Sequence, residues 1–308
     1  YFSVLKMQAA RKVCAGLVQM TSVNDAIANF ATCSSLVRQA AMKGCKIVFF
    51  PECFSFIGAQ PGEAQTIAEP LSGPMLARYL QLAREHGVWL SLGGFQEKCE
   101  GEARIYNTHV IVDDAGAIQA AYRKIHLYDV PMVGLVESKQ AIAGDSLVVC
   151  DSPVGRLGVT ICYDMRFPEL YQKLTFLHRA QVLLMPSAFA VKTGQAHWET
   201  LLRCRAIETQ CYVIAAAQAG QHNEHGNKRR SYGHAMAFDP WGSCVADLGE
   251  DQTAVATFEI DLGLVQSTRD NMPMHVHRRY DIYGDGPHVS KDTATTTKHD
   301  GAEGMFFG

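Results

Sequence analysis

Short apolar stretches alternate with longer amphipathic ones along most of the chain, and that alternation sets an element order. Residues 13–19 (VCAGLVQ) read as a strand. Asn24 or Asp25 then stands where a helix cap belongs, ahead of Ile27, Phe30, Val37 and Ala41 at helical spacing, with Gly44 as the stop. Residues 46–50 (KIVFF) form a short buried strand that Pro51 ends. A second helix is expected over 74–86, because proline suits a first turn and Gly87 a C-terminal stop. Residues 88–95 are the next strand, and 106–112 and 118–123 flank Asp113-Asp114-Ala115-Gly116 as a hairpin. Strands at 157–162, 182–185 and 212–217 alternate with helices at 169–178 and 195–209. Residues 234–238, 244–248 and 254–260 read as strands joined by polar turns.

Strands and helices in alternation, with hairpins among them, predict an α/β layered fold whose sheet is mixed rather than purely parallel. Residues 13–284 carry this pattern with no internal repeat or linker and read as one domain. Residues 285–308 are rich in Gly, Thr, Lys and Asp, lack a core-forming pattern and are expected to be a disordered tail. Residues 1–12 hold Lys6, Arg11 and Lys12 and no acid, which reads as an extension, either disordered or the remnant of a transit peptide. The cytosol is the default compartment, and that basic stretch keeps mitochondria open.

Composition narrows the function classes. A chain of 308 residues and 33.8 kDa can bury a sizeable core. Lys and Arg number 28 against 31 Asp and Glu, a net charge of −3, so no basic excess exists to neutralise a phosphate backbone. No apolar run approaches the roughly 20 residues that span a bilayer. Neither nucleic acid nor membrane is therefore an expected partner. The ten cysteines include no C-x-x-C pair, and Cys14, Cys162 and Cys211 lie inside apolar strands. That pattern lacks zinc and thioredoxin spacings and favours a reducing compartment.

Three positions stand out chemically. Cys162 ends the strand LGVTI and opens the turn YDMRFPE into a helix. A thiol at such an elbow is exposed at the sheet edge, and nearby N–H groups and the helix dipole favour its thiolate; the other reading is a buried core cysteine. Glu52 follows an apolar strand among aromatics (FFPECF), where desolvation is expected to raise its pKa into the range of a general base; the other reading is a solvated loop acid. Period-2 alternation puts Lys124 on the face of Ile118, Ala120 and Tyr122, so its ammonium points to the apolar side at a strand end. There it is either an oxyanion stabiliser or a surface lysine. Nucleophile, base and fixed cation are the parts of thiol-dependent acyl transfer.

These residues lie in FFPECF (49–54), YRKIHLYD (122–129) and GVTICYDMRFPEL (158–170), and with them the chain resembles the nitrilase superfamily of carbon–nitrogen hydrolases over residues 14–283. The resemblance implies a four-layer α-β-β-α sandwich that pairs into a homodimer or a larger homo-oligomer, with no cofactor and no metal. It implies Glu52 as general base, Lys124 as oxyanion stabiliser, Cys162 as nucleophile and the backbone N–H of Tyr163 as the second oxyanion donor. A second glutamate of the family, which positions the lysine and the attacking water, corresponds to Glu137. The interval of 13 residues from Lys124 to Glu137 is a few shorter than the family pattern, so 129–134 lacks part of a loop that approaches the site. Two outcomes follow from that: Glu137 reaches the site by rearrangement, or the site is damaged.

The stretches WLSLGGF (89–95), PSAF (186–189), AHWETLLRCRAIETQCYVIAAAQAG (196–220), RRSYGHAMAFDPWG (229–242) and HRRYDIYG (277–284) resemble the branch that acts on deaminated glutathione. That branch implies release of 2-oxoglutarate and cysteinylglycine, a metabolite-repair role. The neighbouring omega-amidase branch, acting on 2-oxo dicarboxylic acid monoamides, and a non-catalytic module of the same fold are the alternatives. A 2-oxo acid needs a cation. Arg166, four residues past Cys162, suits a bidentate carboxylate contact, with Phe189 lining the pocket; the other reading of Arg166 is a structural ion pair to Glu169. His126, His197 and His234 are expected to be satisfied buried histidines. The His275/His277 and His222/His225 pairs lack a third ligand at metal spacing.

Overall fold

The computed structural model describes residues 12–131, 135–283 and 294–296. Two mixed sheets pack face to face. The first orders Arg230–Tyr232, Ala217–Gln221, Val13–Met20, Ile47–Phe50, Trp89–Lys98, Ile105–Val112 and Ile118–Arg123, with Ala254–Ile260 antiparallel along Val13–Met20. The second orders Cys244–Asp247, Met236–Phe238, Tyr212–Ala215, Val182–Leu184, Gly155–Val159, Leu147–Ser152 and Ala294–Thr296.

Period-2 geometry sorts the apolar side chains between layers. Ala15, Leu17, Ile47, Phe49, Ile111 and Tyr122 point from the first sheet into one cluster with Val148, Leu157 and Val159 of the second. Their strand neighbours Val18, Met20, Val48, Phe50, Leu90, Leu92, Val110 and Val112 point the other way. These meet Cys33, Leu36, Val37 and Ala40 of the helix Ala26–Met42 and Leu76, Tyr79, Leu82 and Ala83 of the helix Pro74–His86. On the second sheet, Trp198, Leu202 and Ala206 of the helix Val191–Thr209 pack beside Leu170 and Tyr171 of Pro168–Gln172. The result is a four-layer α-β-β-α sandwich. Asp25 caps Ala26–Met42, its Oδ1 accepting from Ile27 N at 2.9 Å and Ala28 N at 3.0 Å.

Several sequence expectations change. The apolar run 212–217 is two strands, Tyr212–Ala215 in the second sheet and Ala217–Gln221 in the first. The small side chains of Ala215, Ala216 and Ala217 let the chain change sheets where the layers touch. The helix expected over 169–178 stops at Gln172 and continues as one π-turn, Lys173–Leu177. Leu147–Ser152 and Leu262–Asn271 were not read from the pattern. Of the C-terminal tail, expected to lack structure, the backbone of Ala294–Thr296 pairs in parallel with Leu147–Val149. Apart from Lys12, the N-terminal extension lies outside the described residues, as does the rest of the tail.

Among the described residues, His109 and His222 are the fully interior histidines. Each has Nδ1 on a backbone carbonyl and Nε2 on a serine hydroxyl: Thr160 O at 2.9 Å and Ser91 Oγ at 2.7 Å for His109, Ser22 O at 2.9 Å and Ser231 Oγ at 2.7 Å for His222. The neutral ring, donating from Nδ1 and accepting at Nε2, satisfies both atoms. Burial pushes the pKa of both down to about 4, with the Arg229 charge adding to it at His222. The unfolded chain therefore binds more protons than the native one below the ordinary histidine pKa. Stability is expected to fall from about pH 6.5 to about pH 4, by up to about 3 kcal/mol per histidine. Urea titrations at pH 7 and pH 4.5 check this: His109→Gln should shrink the pH-dependent loss, and an unchanged loss would remove His109 as its source.

Candidate active site

The loops that follow Ile47–Phe50, Ile118–Arg123 and Gly155–Val159 converge at one end of the facing sheets. They bring Glu52, Lys124 and Cys162 together. Two glycines make the approach possible. At the bulge in Trp89–Lys98, a Cβ on Gly93 would overlap Phe50 O and the Pro186 ring, and one on Gly94 would lie 2.7 Å from Asn107 Oδ1. Glycine here lets the strand pass directly beneath the Glu52 loop, where Gly94 O accepts from Cys53 N at 3.0 Å.

Lys124 is 3% exposed, and its Nζ donates to Glu52 Oε1 at 3.1 Å and to Glu137 Oε1 and Oε2 at 3.1 and 2.9 Å. Glu137 therefore reaches the site. It does so from a one-turn helix after the two-residue pair Asp129–Val130 and Leu135–Val136, with Tyr128 N donating to its Oε2 at 2.7 Å. Residues 132–134 of the shortened segment lie outside the described residues. Glu52, 5% exposed, also accepts from Asn107 Nδ2 at 2.9 Å and from Ala188 N at 3.0 Å. Asn107, Ala188 and Asp164 carry no motif that singles them out by residue type alone.

Cys162 occupies a left-handed backbone conformation, φ 49°, rare for a residue with a side chain. Asp164, fully buried, holds that turn. Its Oδ2 accepts from Ile161 N at 2.9 Å and Tyr122 Oη at 2.7 Å, and its Oδ1 from His126 N at 3.2 Å and His126 Nδ1 at 2.7 Å. The N–H of Tyr163 lies in the same turn, between Cys162 N, which donates to Pro186 O at 2.9 Å, and Asp164 N, which donates to Ile161 O at 3.1 Å.

The electrostatics differ from the sequence expectation at two points. Burial alone pushes the Glu52 carboxyl up, but the Lys124 ammonium and the donors around it outweigh burial and hold it below its ordinary value. Glu52 is thus ionised at rest. Burial and the Glu52 charge push the Cys162 thiol well above its ordinary value, against the pull of Lys124, so it rests as a thiol rather than a thiolate. Lys124 loses by burial and gains more from Glu52 and Glu137, and stays charged.

Arg166 makes no ion pair with Glu169. Its guanidinium lies 5.4 Å from the Phe189 ring centre and 5.9 Å from that of Tyr163, and both terminal nitrogens are 3.4 Å from His197 Nδ1. Phe189 packs on Trp198 with ring centres 5.0 Å apart. His126 and His234 are satisfied but partly exposed rather than buried, on Asp164 at 2.7 Å and Asp247 at 3.1 Å.

A thiol poised beside an ionised, buried carboxylate and a fixed ammonium fits cleavage of a carbon–nitrogen bond, and this chain belongs to the carbon–nitrogen hydrolases of the nitrilase superfamily, whose family pattern matches residues 14–270. Within that family it is similar to deaminated glutathione amidase of Bos taurus, 50% identical over 277 residues, covering 88% of this chain and 83% of the relative. The Homo sapiens protein of that name is 48% identical with the same coverage. Among solved structures, the NitFhit protein of C. elegans superposes with a TM-score of 0.83 at 44% identity, over 89% of this chain and 67% of that one. Nit3 of Saccharomyces cerevisiae, described as a member of branch 10 of the nitrilase superfamily, gives 0.77 at 30% identity, over 87% and 97%.

Proposed function

We propose that this chain hydrolyses the amide bond of deaminated glutathione to 2-oxoglutarate and cysteinylglycine through a thioester on Cys162. The observation that carries the reaction class is the buried Lys124 ammonium bonded to both Glu52 and Glu137 beside the thiol. Relatives bearing that substrate in their names, at 46–50% identity, support the substrate.

Because the thiol rests protonated and Glu52 ionised, proton transfer accompanies attack. Glu52 takes the Cys162 proton as sulfur bonds to the amide carbon, and the oxyanion that forms is met by Lys124 and the Tyr163 N–H. Glu52 then gives the proton to the leaving nitrogen as the carbon–nitrogen bond breaks, which frees cysteinylglycine and leaves the thioester. Glu52 next takes a proton from water, and the hydroxide adds to the thioester. The carbon–sulfur bond breaks, and the proton returns to the Cys162 sulfur. Glu137 keeps Lys124 in place throughout.

Arg166 binds the 2-oxo acid carboxylate against the Phe189 wall. Arg166→Ala is expected to raise KM for deaminated glutathione by about 10- to 100-fold, the worth of one charged hydrogen-bonded contact, with a smaller change in kcat. Steady-state kinetics check this split; a fall confined to kcat would move Arg166 out of the binding role. For the substrate itself, deaminated glutathione and 2-oxoglutaramate are offered separately and 2-oxoglutarate is followed, with Cys162→Ala as the blank. Turnover of the first well above the second supports the proposal. The reverse preference assigns omega-amidase activity, and no Cys162-dependent release from either means that the site is disabled or that the substrate is another amide.

The same reading includes a homodimer or larger homo-oligomer in a cytosolic or mitochondrial setting. Exposed Ile207 and Trp241 support the assembly. They cluster around Gly242, whose carbonyl accepts from Arg203 of Val191–Thr209.

A further inference from the structure

The substrate proposed above carries two carboxylates, one on the 2-oxo acid and one at the glycine end of the leaving dipeptide. Arg166 answers the first. A second guanidinium, Arg229, reaches the backbone of the same Ala188–Phe189 segment. Its Nη2 donates to Ala188 O at 3.2 Å, and Ala188 N is the group that holds Glu52 Oε2 at 3.0 Å. Among the described residues no carboxylate pairs with Arg229, whereas its neighbour Arg230 is paired with Asp251 at 2.5 Å. Arg229 is exposed.

The loop that presents Arg229 is fixed. Gly226, at φ 81°, lies so close to Ala59 O that a Cβ would overlap it. Asn227 N donates to Ala59 O at 3.0 Å and Asn227 Nδ2 to Gly58 O at 3.2 Å. Asn227 Oδ1 in turn accepts from Arg229 N at 3.1 Å, and Arg229 O accepts from His222 N at 2.9 Å. An exposed, unpaired cation on a pinned backbone is preorganised for an anion that arrives from solution.

The side it serves follows from the chemistry. Glu52 protonates the leaving nitrogen, so the amine half of the substrate lies on the Glu52 side, where Arg229 touches the Ala188 peptide. Arg166 comes from the turn of the nucleophile. An extended cysteinylglycine places its carboxylate about 7 Å from the scissile nitrogen, so its subsite lies outside the catalytic cluster itself. We infer that Arg229 is the subsite for the carboxylate of the leaving amine, and that it gives the enzyme its preference for a carboxylate-bearing amine over ammonia. The effect of the Arg229 charge on Glu52 agrees with its position at the site.

This inference rests on the substrate proposed above, and the test separates the two. Three amides are compared: deaminated glutathione, its glycinamide-terminated analogue and 2-oxoglutaramate. Wild type should prefer the first over the analogue by about 10- to 100-fold in kcat/KM, and Arg229→Ala should erase most of that preference through KM, with a smaller loss, alike on the other two. Arg229→Lys, which keeps charge and loses the fork, should fall between. Parallel losses on all three substrates, carried by kcat, would overturn the subsite and leave Arg229 as a modulator of Glu52. Equal wild-type rates on acid and amide termini would overturn it as well. Absence of wild-type turnover of deaminated glutathione would defeat the substrate proposal itself and the subsite with it, and is read from the wild type alone.

Discussion

Lys124→Gln is expected to lower kcat/KM by at least about 10³-fold and to destabilise the fold by about 3 kcal/mol at pH 7. The two losses have one origin. The Lys124 ammonium is what keeps Glu52 ionised against its burial, and it is shared with Glu137 at 2.9 and 3.1 Å. Without it the base loses its strongest opposition to burial and is more readily protonated, the oxyanion loses its fixed cation, and Glu52 and Glu137 lose the cation they share. The pH dependence gives the diagnostic. In the wild type, Glu52 has a folded pKa below its unfolded value, so its contribution is present above the unfolded pKa and is lost as pH falls. In the variant, burial is opposed only by Arg229 and the remaining donors, so the folded pKa rises and the stability that Glu52 contributes above its unfolded pKa shrinks. The gap between variant and wild type should therefore widen from pH 4.5 to pH 7. Adding Glu52→Gln should narrow it again without restoring turnover. A gap that stays constant with pH would mean that lost packing of the lysine stem, not its charge, explains the instability.

How far the sequence carries the reader depends on what each signal encodes. Asp25 and Pro74 mark helix starts through local chemistry, and both helices begin where those residues put them. Glu52, Lys124 and Cys162 are legible because each breaks the pattern around it: an acid after an apolar strand, a cation on the inward face, a thiol at an elbow. Their ionisation was not legible, because it is set by distances between loops more than 70 residues apart in sequence for Lys124 and Glu52. Burial of Glu52 suggests a raised pKa, and only the ammonium 3.1 Å away reverses the sign. The same limit applies to 212–217, where apolarity reports burial but not which sheet a residue joins. Asn107 and Ala188 N were invisible for a related reason. An amide in a strand and a backbone N–H become ligands of Glu52 only once the bulge at Gly93-Gly94 brings the layers into contact.

Asp164 belongs to the same class, hidden inside a motif whose cysteine draws attention first, and it is the second position where a large effect is expected. It acts through Cys162 and is a positioning residue. Four donors converge on its carboxylate: Ile161 N, Tyr122 Oη, His126 N and His126 Nδ1. Ile161 precedes the nucleophile, so the carboxylate fixes the entry to a turn whose left-handed φ would otherwise relax. In Asp164→Asn, one oxygen becomes an NH₂ group, which must face one of the two donor pairs. Whichever pair it faces, a backbone N–H is left opposed to it at a fully buried side chain. A loss of about 3 kcal/mol is expected, together with about a 100-fold fall in kcat from misplacement of the sulfur. KM should change less than kcat, because neither Arg166 nor Phe189 bonds Asp164 directly. Two readouts separate positioning from a general loss of fold. Under conditions where both proteins are fully folded, kcat should fall by more than KM changes. Alkylation of Cys162 by iodoacetamide at neutral pH should change rate in Asp164→Asn, because the turn no longer holds the sulfur against Glu52. Tyr122→Phe removes one of the four donors. Combined with Asp164→Asn, it should cost less than the sum of the single changes, since Tyr122 Oη and the Asp164 carboxylate are partners in one hydrogen bond. Additive losses would mean that Tyr122 and Asp164 act independently and that the turn is held by its backbone alone.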